Sequence, residues 1–199
     1  MKQETSTSNY TDKAVDLSMY NNEWYRKQIG ATRFRRICWY IVNATVFFHP
    51  IFGFSGFKIF LLRQFGARVG TNVVIKPSVN IKYPWKLVIG DHSWIGENVW
   101  IDNLAEVKIG SHVCVSQGAY LLTGNHDYRA IHFDLVVKPI ILEDGVWIGA
   151  KAIVAPGVNA ASHAVLTAGS VATRNLLAHT VYQGNPAMPL RERNLSEKP

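Results

Sequence analysis

Cysteine is scarce in this 199-residue sequence. There are two, Cys38 and Cys114, with no C-x-x-C spacing. That excludes a disulfide scaffold and gives no cysteine-built zinc site. No run of 18 apolar residues occurs, so nothing reads as a membrane span. The opening stretch, MKQETSTSNYTDK, is polar and lacks the apolar centre of a signal peptide. A reducing, cytoplasmic setting is expected. Charged residues are 18% of the chain against 48% hydrophobic, which excludes wholesale disorder and allows one buried core. Zinc-finger spacing, a basic helix with heptads and RNA-binding signatures are all missing, so no nucleic-acid partner is expected. The net charge of +7 is uneven. Residues 1–64 hold nine Lys/Arg and four Asp/Glu, and residues 65–199 hold twelve and ten. Such an excess suits anionic lipid, a phosphorylated small molecule or an ordinary solvated surface.

What the chain does have is an internal repeat. An aliphatic residue recurs every six positions: Val69, Ile75, Ile81, then Ile89, Ile95, Ile101, then Ile109, Val115, Leu121, then Leu142, Ile148, Val154. Ala160, Leu166 and Ala172 continue it more weakly. Glycine often follows, as at Gly70, Gly90, Gly96, Gly110 and Gly149, and a small or β-branched residue often sits four positions on. Period six is neither helical nor simple strand alternation. It suits short strands joined by tight turns, one aliphatic side chain inward per strand, with glycine expected where a turn needs positive φ. Three strands close a triangular coil of about eighteen residues, and coils stack into an all-β solenoid. Each inward Ile or Val contributes roughly 1.5–3 kcal/mol by burial.

The repeat breaks at 81, 101 and 121, every twenty residues, so the breaks fall at one corner of successive coils. Two short bulges, 82–88 and 102–108, should stack beneath a long loop, 122–141. Three segments follow: 1–64, a polar arm (1–20) and helices; 65–175, the solenoid; 176–199, a turn and short C-terminal helix over 188–195. Within the first, 33–48 reads as a helix stopped by His49-Pro50, and 57–65 as a second. The apolar run is too short to span a bilayer. It serves either as a cap on the solenoid end or, with Arg33, Arg35 and Arg36 beside its aromatics, as a peripheral surface on an anionic membrane.

The repeats, the loop motif TGNHD (123–127), LEDGVWIGAKAIVAPGV (142–158), LTAGSVATR (166–174) and YQGNPA (182–187) together resemble the hexapeptide-repeat O-acetyltransferases. Within them the chain resembles those of colanic acid and related exopolysaccharide clusters, and it is also similar to the galactoside, maltose and nodulation-factor group. The resemblance covers roughly 65–191 and implies a left-handed parallel β-helix with an N-terminal helical cap, a homotrimer, and acetyl-CoA as co-substrate with no metal. The usual crossover rule would favour the opposite hand.

A sugar hydroxyl is a weak nucleophile at neutral pH and needs a base within hydrogen-bond reach, commonly imidazole. The resemblance places the catalytic base on His126. The acyl donor is an activated thioester, so no nucleophilic side chain is needed, and Cys114, inside a repeat, reads as structural. The tetrahedral oxyanion needs a preorganised donor, which the motif assigns to the backbone of Ala150. Trp147 matches the residue beside the acetyl end. Ala168, Thr173, Arg174 and Arg191 match coenzyme A contacts, with arginine at 174 where lysine is usual. The acceptor site does not transfer. The galactoside-type Asn-Phe-Asn segment is replaced by ENVWIDNLAE (97–106). The stacked corner instead offers Tyr83 and Trp85 to face a sugar ring, with Asp102 and Asn103 for its hydroxyls.

The acceptor is expected to be a saccharide or lipid-linked saccharide, and the protein to be cytoplasmic, either free or peripheral at the inner face of the membrane. Two other classes share such a solenoid. A gamma-type carbonic anhydrase would bind zinc through three histidines, but His126 and His132 stand six apart rather than that family's five. A catalytically silent scaffold would need neither a histidine loop nor a basic pair near the C-terminal coils.

Overall fold

The computed structural model describes residues 14–196 apart from Phe52. From Ile75 to Ala172 every hexad position is 0–2% exposed, and these side chains stack in columns down the solenoid axis. The chain alternates among three parallel sheets, one strand of each per coil. The first contains Arg68–Val69, Leu87–Ile89, Val107–Ile109, Ile140–Leu142 and Asn159–Ala160. The second contains Val74–Ile75, Trp94–Ile95, Cys114–Val115, Trp147–Ile148, Val165–Leu166 and Thr180–Gly184. The third contains Asn80–Ile81, Trp100–Asp102, Tyr120–Leu122, Ile153–Val154 and Val171–Ala172.

The glycines after the hexad residues do a different job from the one expected. Positive φ falls two residues later, at Asn72, His92 and His112. Gly90 and Gly96 are needed for close approach: a Cβ on either would sit 2.6 Å from backbone atoms of the next coil. The hydrogen-bonded rise between coils leaves no room for a side chain there.

A solenoid end exposes unpaired strand edges. Here two helices cover it, α2 (Arg33–Val42, continued by a π-turn to Phe47) and α3 (Ser55–Gln64), while α1 (Glu23–Gln28) packs on the corner, where the Tyr25 hydroxyl donates to Leu104 O at 3.2 Å. Their side chains satisfy the first coil's backbone. Trp39 Nε1 donates to Ile81 O at 2.8 Å, Ile81 N donates to Asn43 Oδ1 at 3.2 Å, and Lys58 Nζ donates to Lys76 O at 2.8 Å. Thr32 caps α2 by accepting from Arg35 N. The helical segment is thus a structural cap.

Two expectations need correction. The C-terminal helix over 188–195 is instead a strand, Ala187–Glu192, antiparallel to Thr180–Gly184. Pro189 breaks a helix interior but is tolerated on an edge strand, where the last coil's backbone needs a partner. The loose arm over 1–20 falls partly outside the described residues, at 1–13. The described remainder is anchored: Asp16 N donates to Ile131 O at 2.9 Å and a 3₁₀ turn spans Leu17–Met19.

Candidate active site

The twenty-residue corner stacks as its spacing predicts. Asn80, Trp100 and Tyr120 pair in register, as do Asp102 and Leu122. Above it the long loop folds into a hairpin, Gly124–His126 against Leu135–Val137. His126 is half-buried at its base. Its Nδ1–H donates to Phe133 O at 2.8 Å, which fixes the tautomer and leaves Nε2 as the acceptor. The Phe133 ring stacks on the imidazole at 4.3 Å and 7°. Tyr20 packs against it at 5.6 Å. Phe133 has φ 50°, and a turn through Asp127 and Ala130 holds it there. Neither Tyr20 nor Phe133 was visible as a site residue. Tyr20 is 106 positions away in a polar stretch, and a lone phenylalanine in a loop carries no motif.

A concavity of about 520 Å³ beside His126 is lined by Asn125, Lys138, Ala155, Pro156 and Thr173 among others. A second, of about 350 Å³, runs along the outer face of the second sheet and brings Trp147, Ala150 and Ala168 together. Trp147 is half-exposed, and its Nε1 donates to Ser116 Oγ at 2.9 Å. The Ala150 carbonyl accepts from Gly169 N, whereas its own N–H has no hydrogen-bond partner among the described residues. The two concavities share no lining residue. Arg174 and Arg191 are exposed, and neither forms an ion pair among the described residues. Arg191 lies on the C-terminal strand opposite Val181.

At the proposed acceptor corner the residues divide. Asp102 is half-buried, 2.8 Å from Lys82 Nζ, and accepts from the Tyr120 hydroxyl at 3.4 Å. Burial and the Asp102 charge push the Tyr120 hydroxyl up to about 12. Asn103 is fully buried. Its Oδ1 accepts from Tyr83 N at 2.9 Å, and its Nδ2 donates to Tyr83 O at 2.6 Å and Lys86 O at 3.2 Å. It ties one bulge to the next, with both ends of its amide engaged by backbone groups. Trp85 stacks on Tyr83 at 4.9 Å and donates from Nε1 to Ile29 O at 2.7 Å, so it packs the cap onto the corner. Tyr83 and Asp102 line a cleft of about 500 Å³ beneath α2. No group of three or more His, Cys, Asp or Glu among the described residues is placed to hold a metal ion.

Three parallel sheets and an N-terminal helical region match the left-handed β-helix acetyltransferases. No protein-family model matches the chain. It is 43% identical over 155 residues to the colanic acid biosynthesis acetyltransferase WcaF of Escherichia coli strain K12, over 78% of this chain and 85% of that protein. It is 30% identical over 142 residues to galactoside O-acetyltransferase of the same strain, over 69% and 70%. The hexapeptide-repeat acetyltransferase VCA0836 of Vibrio cholerae O1 biovar eltor, solved with acetyl coenzyme A, has a TM-score of 0.68 at 27% identity, over 86% of this chain and 88% of that one. The chain belongs to the hexapeptide-repeat acetyltransferases and is an enzyme of that class.

Proposed function

We propose that this enzyme transfers acetyl from acetyl-CoA to a saccharide hydroxyl in cell-surface polysaccharide synthesis, working in the cytoplasm. The carrying observation is the His126 Nδ1–Phe133 carbonyl hydrogen bond at 2.8 Å, which aims Nε2 outward as a general base. His126 takes the hydroxyl proton as the oxygen attacks the thioester carbonyl. The new C–O bond forms, the C–S bond breaks, and the proton passes from His126 to the departing thiolate. The unpartnered Ala150 N–H is suited to the oxyanion. Trp147 and Ala168 wall the pantetheine end, while Thr173, Arg174 and Arg191 serve the rest of coenzyme A, the arginines its phosphates. Because His126 shares a concavity with Thr173 but not with Trp147, Ala150 and Ala168, a homotrimer would complete each site between neighbours.

The test is incubation with acetyl-CoA and a panel of nucleotide sugars and lipid-linked oligosaccharides, read by mass shift. A gain of one acetyl group on a saccharide is expected, and His126→Ala should cut its rate by ~10²–10⁴ with little change in coenzyme A binding. An active His126→Ala enzyme would overturn the assignment.

A further inference from the structure

The cap turns a second face outward that its structural role leaves unexplained. Trp39 and Phe47 point inward and are 0–2% exposed. On the other side of α2, Phe34, Ile37 and Ile41 follow helical spacing and are 77%, 49% and 55% exposed. Tyr40 flanks them at 74%, and Phe48 and Phe54 continue the apolar display beyond the helix. Scattered exposed apolar residues are ordinary, but a concentration of this kind marks an interaction surface.

Charge says which kind. From Trp24 to Gly90 the sequence holds eleven Lys/Arg and not one Asp or Glu. Some of these cations are committed to backbone carbonyls: Arg35 to Phe65, Lys58 to Lys76, Arg63 to Val69. Lys82 is paired with Asp102, whereas Arg26, Lys27 and Arg33 remain exposed and form no ion pair among the described residues. The cleft beneath α2 shares Tyr40 and Phe48 with the apolar display. Within its lining Arg36 Nε is buried with no hydrogen-bond partner among the described residues. No helix among the described residues is long and apolar enough to cross a membrane.

We infer that the outward face of α2 docks on an anionic bilayer surface, with apolar side chains entering the headgroup boundary and the cations meeting lipid phosphates. A second copy of this face is a poor occupant: α2 carries Arg33, Arg35 and Arg36 and no carboxylate, and the carboxylate of the cleft, Asp102, is already paired with Lys82, so like charges would meet. A bilayer supplies both an apolar layer and negative charge. The inference does not depend on the acetyl-transfer reading.

Co-sedimentation of the full chain with phosphatidylcholine vesicles, with and without 30 mol% phosphatidylglycerol (about one lipid in three), tests it. Binding to the anionic vesicles is expected to exceed binding to the neutral ones at least tenfold. The double variant Phe34→Glu, Ile41→Glu should lose at least tenfold, and Phe34→Leu, Ile41→Leu should keep binding. Circular dichroism and light scattering accompany each, with the fold and solution mass expected unchanged. The inference is overturned if wild type ignores anionic vesicles, or if the glutamate variant binds as well. It is also overturned if that variant lowers the solution mass while wild type binds no vesicles, which would make the face a contact between copies.

Discussion

The solenoid and its cap solve the same problem with opposite economies. In the solenoid each inward aliphatic is covered by its counterparts one coil away, so a short repeat propagates a dry core and its outer face is free to vary. The cap has no neighbour coil. Its Trp39, Asn43 and Lys58 are single-use fittings, each matched to one backbone group, and its other face is left apolar and exposed. Regular regions therefore carry stability in a form that any hexad position can report. Departures from regularity carry information about ligands and surfaces.

That contrast can be broken most sharply with two isoleucines. Ile148, 0% exposed in the solenoid, is expected to lose about 2–5 kcal/mol on replacement by alanine, as transfer and cavity terms combine. Ile41, 55% exposed on α2, should change by no more than about 0.5 kcal/mol. Chemical denaturation of both variants checks this. Equal costs would mean that the outward face of α2 is covered in the free protein.

The corner sharpens the comparison next. Asn103 holds three backbone groups of the neighbouring bulge in a fully buried position. Asn103→Ala strands Tyr83 N, Tyr83 O and Lys86 O, for a loss of about 1–3 kcal/mol. The readout is the denaturation midpoint, with activity measured well below it. Unchanged stability with lost acceptor use would return Asn103 to the role its sequence position suggested.

Period six was legible because solenoid stacking makes every sixth side chain face the same axis, so Ile75 through Ala172 are buried as their spacing implied. The corner was legible for the same reason, since insertions recurring every twenty residues must stack. Other features resist a one-dimensional reading. Asn103 is polar and sits in a bulge, which describes a ligand contact and a buried tie equally well. Gly90 reads as a turn residue, yet what it provides is room for the next coil. Tyr20 reaches His126 only because residues 14–20 return along the hairpin. Pro189 is the one residue in 188–195 that speaks against a helix, because it breaks a helix interior and is tolerated on an edge strand.

The smallest expected effect lies at the corner between the first and second sheets, where carboxylates staple one coil to another. Glu143 Oε2 accepts from Ser162 N at 2.9 Å and Ser162 Oγ at 3.0 Å, and Oε1 accepts from Asn159 Nδ2 at 3.3 Å. These bonds, the serine hydroxyl's foremost, hold the carboxyl below its ordinary 4.5. A carboxyl held low in the folded state contributes stability that is fully present above its unfolded pKa and is lost as pH falls through the folded one. Glu143→Gln should therefore melt about 1–3 °C below wild type at pH 7, small because the site is solvated. The gap should be full above the ordinary 4.5 and narrow as pH falls through the lower folded value, where wild type comes to carry a neutral group too. Thermal melts of both proteins from neutral to acid pH decide it. A gap that does not narrow on acidification would place the stapling in side-chain shape or packing rather than in the carboxylate charge.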